Sequence, residues 1–218
     1  FAGGLREKIY LSTKNAYKGE SIDEWQKVLT TSLAKLQTDY IDFYLFHALS
    51  WAEYEKFLRI PNGQLNKAKQ LKAQGVIRHI GFSSHDSPEN IINLINTGEF
   101  ECMTVQYNFL DRRNEPALES AFKNKLGVTI MGPLAGGMVT FARKLVNEIT
   151  ASQEWTAASS SLKFVLSNRF VSNAISGMNA RAQLDENVTV AAGEELLSAD
   201  DRVRISQLLD KLQSLANL

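Results

Sequence analysis

Two stretches, Lys8-Ile-Tyr-Leu-Ser-Thr-Lys14 and Tyr40-Ile-Asp-Phe-Tyr-Leu-Phe-His47, decide how this chain is read. Each is a run of β-branched, aromatic and aliphatic residues too short for a helix. Each is nearly apolar along its length, as a parallel strand covered on both faces would be. Each also ends on an ionisable side chain. Between them Ser21 and Glu24 have the spacing of a capping box, in which a hydroxyl and a carboxylate satisfy orphan backbone N–H groups. Trp25, Val28, Leu29, Leu33 and Leu36 then recur at helical spacing. Strand, helix, strand is the unit of a parallel sheet with crossover connections.

Outward from this unit the alternation continues. His79 to Phe82, Met103 to Gln106, Val128 to Met131 and Asn173 to Ser176 read as further strands. Ser87 before Pro88 reads as an N-cap and first helical position, Ile91, Ile92, Leu94 and Ile95 follow, and Gly98 stops that helix. Pro116 begins another helix that ends before Gly127, and Ser198 caps a last amphipathic segment. The pattern predicts an α/β chain with six strands. A doubly wound sheet can use six, although no glycine fingerprint follows the first strand, whereas a closed (β/α)8 barrel needs eight. Periodicity leaves both open. No linker or low-complexity stretch interrupts the chain, so residues 1–218 are read as a single domain.

Composition narrows the function classes. The 218 residues carry 24 Lys+Arg against 24 Asp+Glu, with no long basic or acidic block, so neither nucleic acid nor an anionic membrane is indicated as a partner. No apolar run reaches the roughly 18 residues that span a bilayer. Cys102 is the single cysteine, which excludes an internal disulfide framework and an all-cysteine metal centre; it fits a reducing, cytoplasmic setting.

In a barrel, side chains at the C-terminal ends of strands face the active-site mouth. Lys14 and His47 are in that position. A lysine closing an apolar strand is costly to bury unless paired, and its plain alternative is a stem that snorkels to water. Gln106 also closes an apolar strand, where its amide needs partners. Ser83 and Ser84 after a strand, and Leu134, Gly136 and Gly137 after Pro133, have ordinary turn roles if taken alone.

Taken together these segments resemble the aldo/keto reductase family. The resemblance runs through Ile9-Tyr-Leu-Ser-Thr-Lys14, Tyr40 to His47, Ile80-Gly-Phe-Ser-Ser-His85, Val105-Gln-Tyr-Asn108, Gly127 to Gly137, and Ile175-Ser-Gly-Met-Asn179 with Gln183 and Asn187, in order over about residues 5 to 192. It is strongest to a bacterial or archaeal branch whose members often carry a ferredoxin-like tail, which has no counterpart here. The resemblance implies a TIM-type (β/α)8 barrel, represented by about six βα units with the first two missing. It also implies hydride transfer between NADP(H), with NAD(H) as the alternative, and a small-molecule aldehyde, ketone or alcohol, without a metal.

By the same resemblance Lys14 and His47 are catalytic. The lysine ammonium favours a phenolate on a neighbouring tyrosine, and the histidine orients the carbonyl. Ser83, Ser84 and Gln106 correspond to the residues that hydrogen-bond the nicotinamide carboxamide, with Ser84 where relatives have asparagine. Met131 (or Gly132) stands where many relatives stack an aromatic ring. Leu134 and Gly136 match a loop over the pyrophosphate; Gly177 and Asn179 match the phosphate–ribose segment, and Gln183 and Asn187 the adenine contacts. Arg181 is the cation expected near a 2′-phosphate.

The family's catalytic aspartate and tyrosine lie upstream of the lysine strand, and Tyr10 and Tyr17 do not match that tyrosine. The expectation is therefore an N-terminally truncated reductase. Losing the general acid would lower its rate about 10²–10⁴-fold. The alternatives are an inactive fragment, a non-catalytic NADP(H)-binding regulatory relative, and a barrel enzyme using Lys14 to form a Schiff base. Six units leave two edge strands, which self-association would cover.

Overall fold

The computed structural model describes residues 2–142, 155–193 and 197–216. Its strands are β1 (Ser12–Asn15), β2 (Ile41–Phe46), β3 (Ile77–Ser84), β4 (Cys102–Gln106), β5 (Gly127–Met131) and β6 (Asn173–Ile175). The longer helices are α1 (Ile22–Leu36), α2 (Gln64–Ala73), α3 (Pro88–Asn96), α4 (Glu115–Lys123), α5 (Ala157–Leu166), α6 (Arg181–Ala192) and α7 (Ala199–Ala216), with one short helical turn at Trp51–Glu53. Short 3₁₀ segments cover Ala2–Lys8 and Ala135–Ala142, and one π turn spans Tyr54–Leu58. The strands form a six-stranded sheet in the order β1-β2-β3-β4-β5-β6, as a succession of βα units requires. Pairing is parallel between β1 and β2, β2 and β3, and β5 and β6. The six strands of the sequence reading are present, and the alternation is that of the (β/α)8 class. Among the described residues no helix is long and apolar enough to cross a membrane.

The helix ends follow their sequence signals. Ser21 accepts a hydrogen bond from the Glu24 amide, and Ser87 does so from Asn90 with Pro88 behind it. One boundary differs from expectation. Residues Lys8 to Leu11 were expected to open the first strand, but the ladder begins at Ser12. Arg6 explains the shift. Its guanidinium bonds Asp42 Oδ2 at 2.8 Å, the Tyr40 carbonyl at 3.0 Å and the Ile9 carbonyl at 3.2 Å. Asp42 Oδ2 also accepts from the Leu11 amide at 2.9 Å. The approach to β1 is thus held by the Arg6 and Asp42 side chains together with one backbone bond, from the Phe43 amide to the Leu11 carbonyl at 2.9 Å, and Lys14 lies within the strand rather than after it.

The chain divides into two compact units, one of residues 1–104 and 119–127, the other of residues 105–118 and 128–218. In the first, α1 supplies Trp25, fully buried, whose ring meets Tyr44 edge-on at 5.7 Å and stacks on Phe46 at 5.8 Å. Tyr44 and Phe46 thus fill the helix-facing side of β2. Strand periodicity puts Phe43, Leu45 and His47 on the opposite side. Lys14 pairs with Leu45, and Leu45 with Gly81, so these residues share that side. At Gly81 an added Cβ would stand 2.5 Å from the Cys102 carbonyl oxygen and 2.7 Å from Leu45 Cδ2, so only glycine lets β2, β3 and β4 approach as they do.

In the second unit Val128 and Ile130 of β5 are fully buried, and Phe164 of α5 stacks on Tyr107 at 5.6 Å. The buried Tyr107 hydroxyl donates to Glu115 at 2.8 Å and accepts from Asn168 and Arg202, each at 3.3 Å. This network satisfies the phenol and fastens α7 through Arg202, which also bonds the Phe164 carbonyl at 2.7 Å. Ser161, buried on α5, donates to the Pro133 carbonyl at 2.5 Å and so fixes the loop after β5.

Candidate functional site

In the first unit, the ends of β1, β2 and β3 carry Lys14, His47 and Ser83. The turn after Lys14 is set by Asn15, whose buried amide donates to the Trp25 carbonyl at 2.9 Å while its oxygen accepts from the Tyr17 amide at 2.9 Å. The His47 amide donates to the Asn15 carbonyl at 3.0 Å, which holds the two strand ends level. Both side chains are exposed, so Lys14 is not the buried charge its neighbours in sequence suggest. Desolvation, and then the charges of Lys14 and Lys18 and the nearness of His85, keep the His47 imidazole below its ordinary pKa. At neutral pH the ring is therefore neutral and can donate one hydrogen bond.

Ser83 accepts from the Ala48 amide at 3.0 Å and so braces the residue after His47. Ser84 is fully buried; its hydroxyl donates to the Leu49 carbonyl at 2.7 Å and accepts from the Asp86 amide at 3.1 Å. The hydroxyl of Ser84 is thus committed to the loop backbone. Lys18 and His85 were not singled out by the sequence. Lys18 reaches the Ala48 carbonyl at 3.0 Å and Glu53 at 2.8 Å, a long-range contact that spacing could not reveal.

In the second unit a cavity of about 770 Å³ opens among the loop after β5, the start of α5, the end of β6 and the first turns of α6. That is within the roughly 300–1,000 Å³ of small-molecule and cofactor sites. Leu134, Gly136, Gly177, Gln183 and Asn187 line it. Gly136 and Gly137 adopt φ of 65° and 90°, a region open to glycine, and the Gly137 amide closes a turn on the Leu134 carbonyl at 2.8 Å. Gln183 turns its carbonyl back onto the amides of Asn179, at 2.9 Å, and Ala180, at 3.3 Å. The Asn187 amide donates to Ser176 at 3.2 Å.

Gln106 adjoins this cavity through Gly132, which lines it: a Cβ on Gly132 would stand 3.4 to 3.6 Å from the Gln106 amide atoms. The Gln106 backbone is held by Asn114, which donates to its carbonyl at 2.9 Å. Met131 and Asn179 are not among the lining residues. Sequence reasoning missed Thr156, Ala157 and Ala158 at the start of α5, and Glu186, all of which line the cavity. A threonine three residues before Ser159 is a legible N-cap, but nothing in its spacing ties it to residues thirty positions later.

The lining fits a dinucleotide. Glycine-rich backbone and the start of α6 can approach phosphates, and the amides of Gln106, Gln183 and Asn187 can meet a carboxamide or a base. Among the described residues no cluster of three or more His, Cys, Asp or Glu could hold a metal ion.

The pattern of the Aldo/keto reductase family matches residues 2–210. The chain belongs to the aldo/keto reductase family. It is similar to an uncharacterized oxidoreductase of Bacillus subtilis, with 26% identity over 215 residues that cover 87% of this chain and 65% of that protein. It is also similar to the NADH-specific methylglyoxal reductase of Escherichia coli, with 25% identity, 97% of this chain and 71% of that protein covered. Among solved structures, the holo form of an aldo-keto reductase from Bacillus halodurans superposes with a TM-score of 0.81 at 25% identity, over 94% of this chain and 74% of that one. The chain thus spans 65% and 71% of the length of these two curated relatives.

Proposed function

We propose that this aldo/keto reductase chain takes part in hydride transfer between a nicotinamide dinucleotide and a small carbonyl compound or its alcohol. We further propose that residues 1–218 act as one barrel domain and that the protein works in the cytoplasm. The observation that carries the reading is the cavity of the second unit, where Leu134, Gly136, Gly177, Gln183 and Asn187 converge. When bound, the dinucleotide supplies or receives the hydride. Gln106 is the candidate partner for its carboxamide; Ser83 and Ser84 carry the same family assignment, and within the first unit they brace the backbone after His47. Met131 and Asn179 are assigned supporting roles beside the lining residues.

Lys14 and His47 are assigned to the substrate. A neutral His47 can donate to the carbonyl oxygen and fix its orientation. The Lys14 ammonium stabilises negative charge as it develops on that oxygen and favours the anionic form of a proton-donating hydroxyl. The Escherichia coli relative, named for methylglyoxal, supports a small carbonyl as substrate. The sequence's lean toward NADP(H) rests on Arg181, which pairs with Asp185 at 2.8 Å and is 82% exposed. Either phosphorylation state satisfies this reading of the reaction.

A second reading is a non-catalytic dinucleotide-binding relative. Tyr10 is 80% exposed, and the Tyr17 hydroxyl accepts from the Ser21 amide at 3.2 Å, so neither gains the role of the family tyrosine. Steady-state assays of the 218-residue chain on a panel of small aldehydes with reduced dinucleotide separate the two. Turnover that falls about 100-fold or more in Lys14→Met and His47→Ala, with dinucleotide affinity kept, supports the first. Stoichiometric binding without turnover favours the second, and no binding removes both.

A further inference from the structure

Directly after His47 the backbone takes a conformation that its sequence does not favour. Ala48 has φ of 48°, in the left-handed region where a Cβ crowds the following carbonyl oxygen. Such a residue persists where its surroundings over-determine it. Both of its backbone polar groups are held. From β3, Ser83 Oγ accepts the Ala48 amide at 3.0 Å, and from the loop after β1 the Lys18 ammonium donates to the Ala48 carbonyl at 3.0 Å. The Leu49 amide then donates to the Ser83 carbonyl at 2.7 Å, and the Leu49 carbonyl accepts from the Ser84 hydroxyl at 2.7 Å. Lys18 is itself anchored. It donates to Glu53 Oε2 at 2.8 Å, and the same oxygen accepts from the Ser50 amide at 2.9 Å and the Ser50 hydroxyl at 3.0 Å. Asn15, Lys18, His47 and Glu53 line one narrow crevice of the first unit.

We propose that Lys18 is a positioning residue for His47: it closes the left-handed turn at Ala48 from the side of β1, and so fixes the direction in which the imidazole leaves β2. Its effect on rate rests on the carbonyl-reductase reading given above; its hold on the turn does not. As an ion pair alone, Lys18 and Glu53 would matter little, since their side chains are 38% and 27% exposed. A lysine serving only its counter-ion would leave the Ala48 carbonyl to water. Here one of the three ammonium donors is spent on that carbonyl, at the strained residue next to the histidine. The charge acts in the same place. After desolvation, Lys14 from β1, Lys18 from its loop and the nearness of His85 lower the His47 pKa. The carboxylates nearby are engaged elsewhere: Glu53 with Lys18 and Ser50, and Asp86 with the amides of Trp51 and Ser87 and the side chain of Asn90.

NMR of the 218-residue chain, as wild type, Lys18→Met and Lys18→Arg, tests this, with His47→Ala to assign the His47 ring among the three histidines. In Lys18→Met the His47 midpoint should rise and the Ala48 and Leu49 amides should exchange faster, while the melting temperature stays within about 3 °C of wild type. Lys18→Arg keeps charge and donors and should restore both readouts. A raised midpoint with amide exchange unmoved reduces Lys18 to a nearby charge and overturns the positioning role, as does a Lys18→Met protein unchanged in both. Steady-state assays of the same variants on small aldehydes carry the test to the reaction. The expected result is a kcat about tenfold lower in Lys18→Met, recovered in Lys18→Arg, with dinucleotide affinity kept. An unchanged kcat in Lys18→Met overturns the effect on the reaction. Wild-type protein without turnover overturns the carbonyl-reductase reading instead, and the NMR readouts still decide whether Lys18 holds the turn.

Discussion

Removing the Asp42 carboxylate should loosen the strand that carries Lys14. Asp42 is 1% exposed and its partner Arg6 12%, so their 2.8 Å pair is nearly dry. Arg78, at 51% exposure and 3.0 Å, is screened by water and contributes little. Both guanidinium groups also lie against the Tyr40 ring, at 3.7 and 4.0 Å, so the carboxylate offsets two like charges gathered at one aromatic side chain. In Asp42→Ala the Arg6 contact, a charge-assisted bond of about 1.5–3 kcal/mol, is lost, and the Leu11 amide loses its acceptor at about 1–3 kcal/mol. Arg6 keeps its bonds to the Tyr40 and Ile9 carbonyls, which holds the total to about 3–5 kcal/mol. At this chain length that corresponds to a fall in melting temperature of about 6–20 °C. Asp42→Asn, which retains an acceptor for Leu11, should lose about half as much.

The pH dependence has a definite sign. Burial by itself would raise the Asp42 pKa, but the Leu11 amide, the bond and charge of Arg6 and the charge of Arg78 together outweigh it and hold the group below its ordinary value. The stabilisation is therefore present above the unfolded carboxylate pKa of about 3.9 and is lost as pH falls through the lower folded value. Circular-dichroism melts from pH 7 to pH 2 on the wild type and both variants provide the measurement. A wild-type melting temperature that declines below about pH 4, with a shallower decline in Asp42→Asn, is expected. An Asp42→Ala protein melting within about 2 °C of wild type at pH 7 would refute the reasoning.

Other substitutions test other links. Gly81→Ala forces a methyl against the Cys102 carbonyl and Leu45, and should destabilise by about 1–3 kcal/mol or prevent soluble expression; an unchanged melting temperature would show that β2 and β4 can move apart. Gln106→Leu should weaken dinucleotide binding about three- to tenfold, the worth of one hydrogen bond, with no effect expected on melting of the free protein. NMR titration should place the His47 midpoint below the ordinary value of about 6.5, and Lys14→Met should move it upward; an unmoved midpoint would mean the lysine charge does not reach the imidazole.

The fold was legible because parallel strands and capped helices write local signatures. Tyr40 to His47 and Ser87-Pro88 needed no knowledge of their neighbours. The start of β1 was misplaced because its boundary depends on Arg6 and Asp42, separated by 36 positions, and no periodicity encodes such a clamp. At the candidate site, Leu134, Gly136, Gly177, Gln183 and Asn187 were found through resemblance rather than spacing. Glu186 was passed over because an exposed face of an amphipathic helix is where glutamate ordinarily sits. Its meaning comes from Thr156 and Ser159, about thirty residues away, which convert a solvated charge into a lining one.

A structure of the 218-residue chain grown with NADH bears most directly on the assignment of the cavity. The dinucleotide should lie along Gly136, Gly137 and Gly177, with its adenosine toward Gln183 and Asn187 and its carboxamide within hydrogen-bond distance of the Gln106 amide. Density for NADH elsewhere, with this cavity filled only by water, would contradict the account.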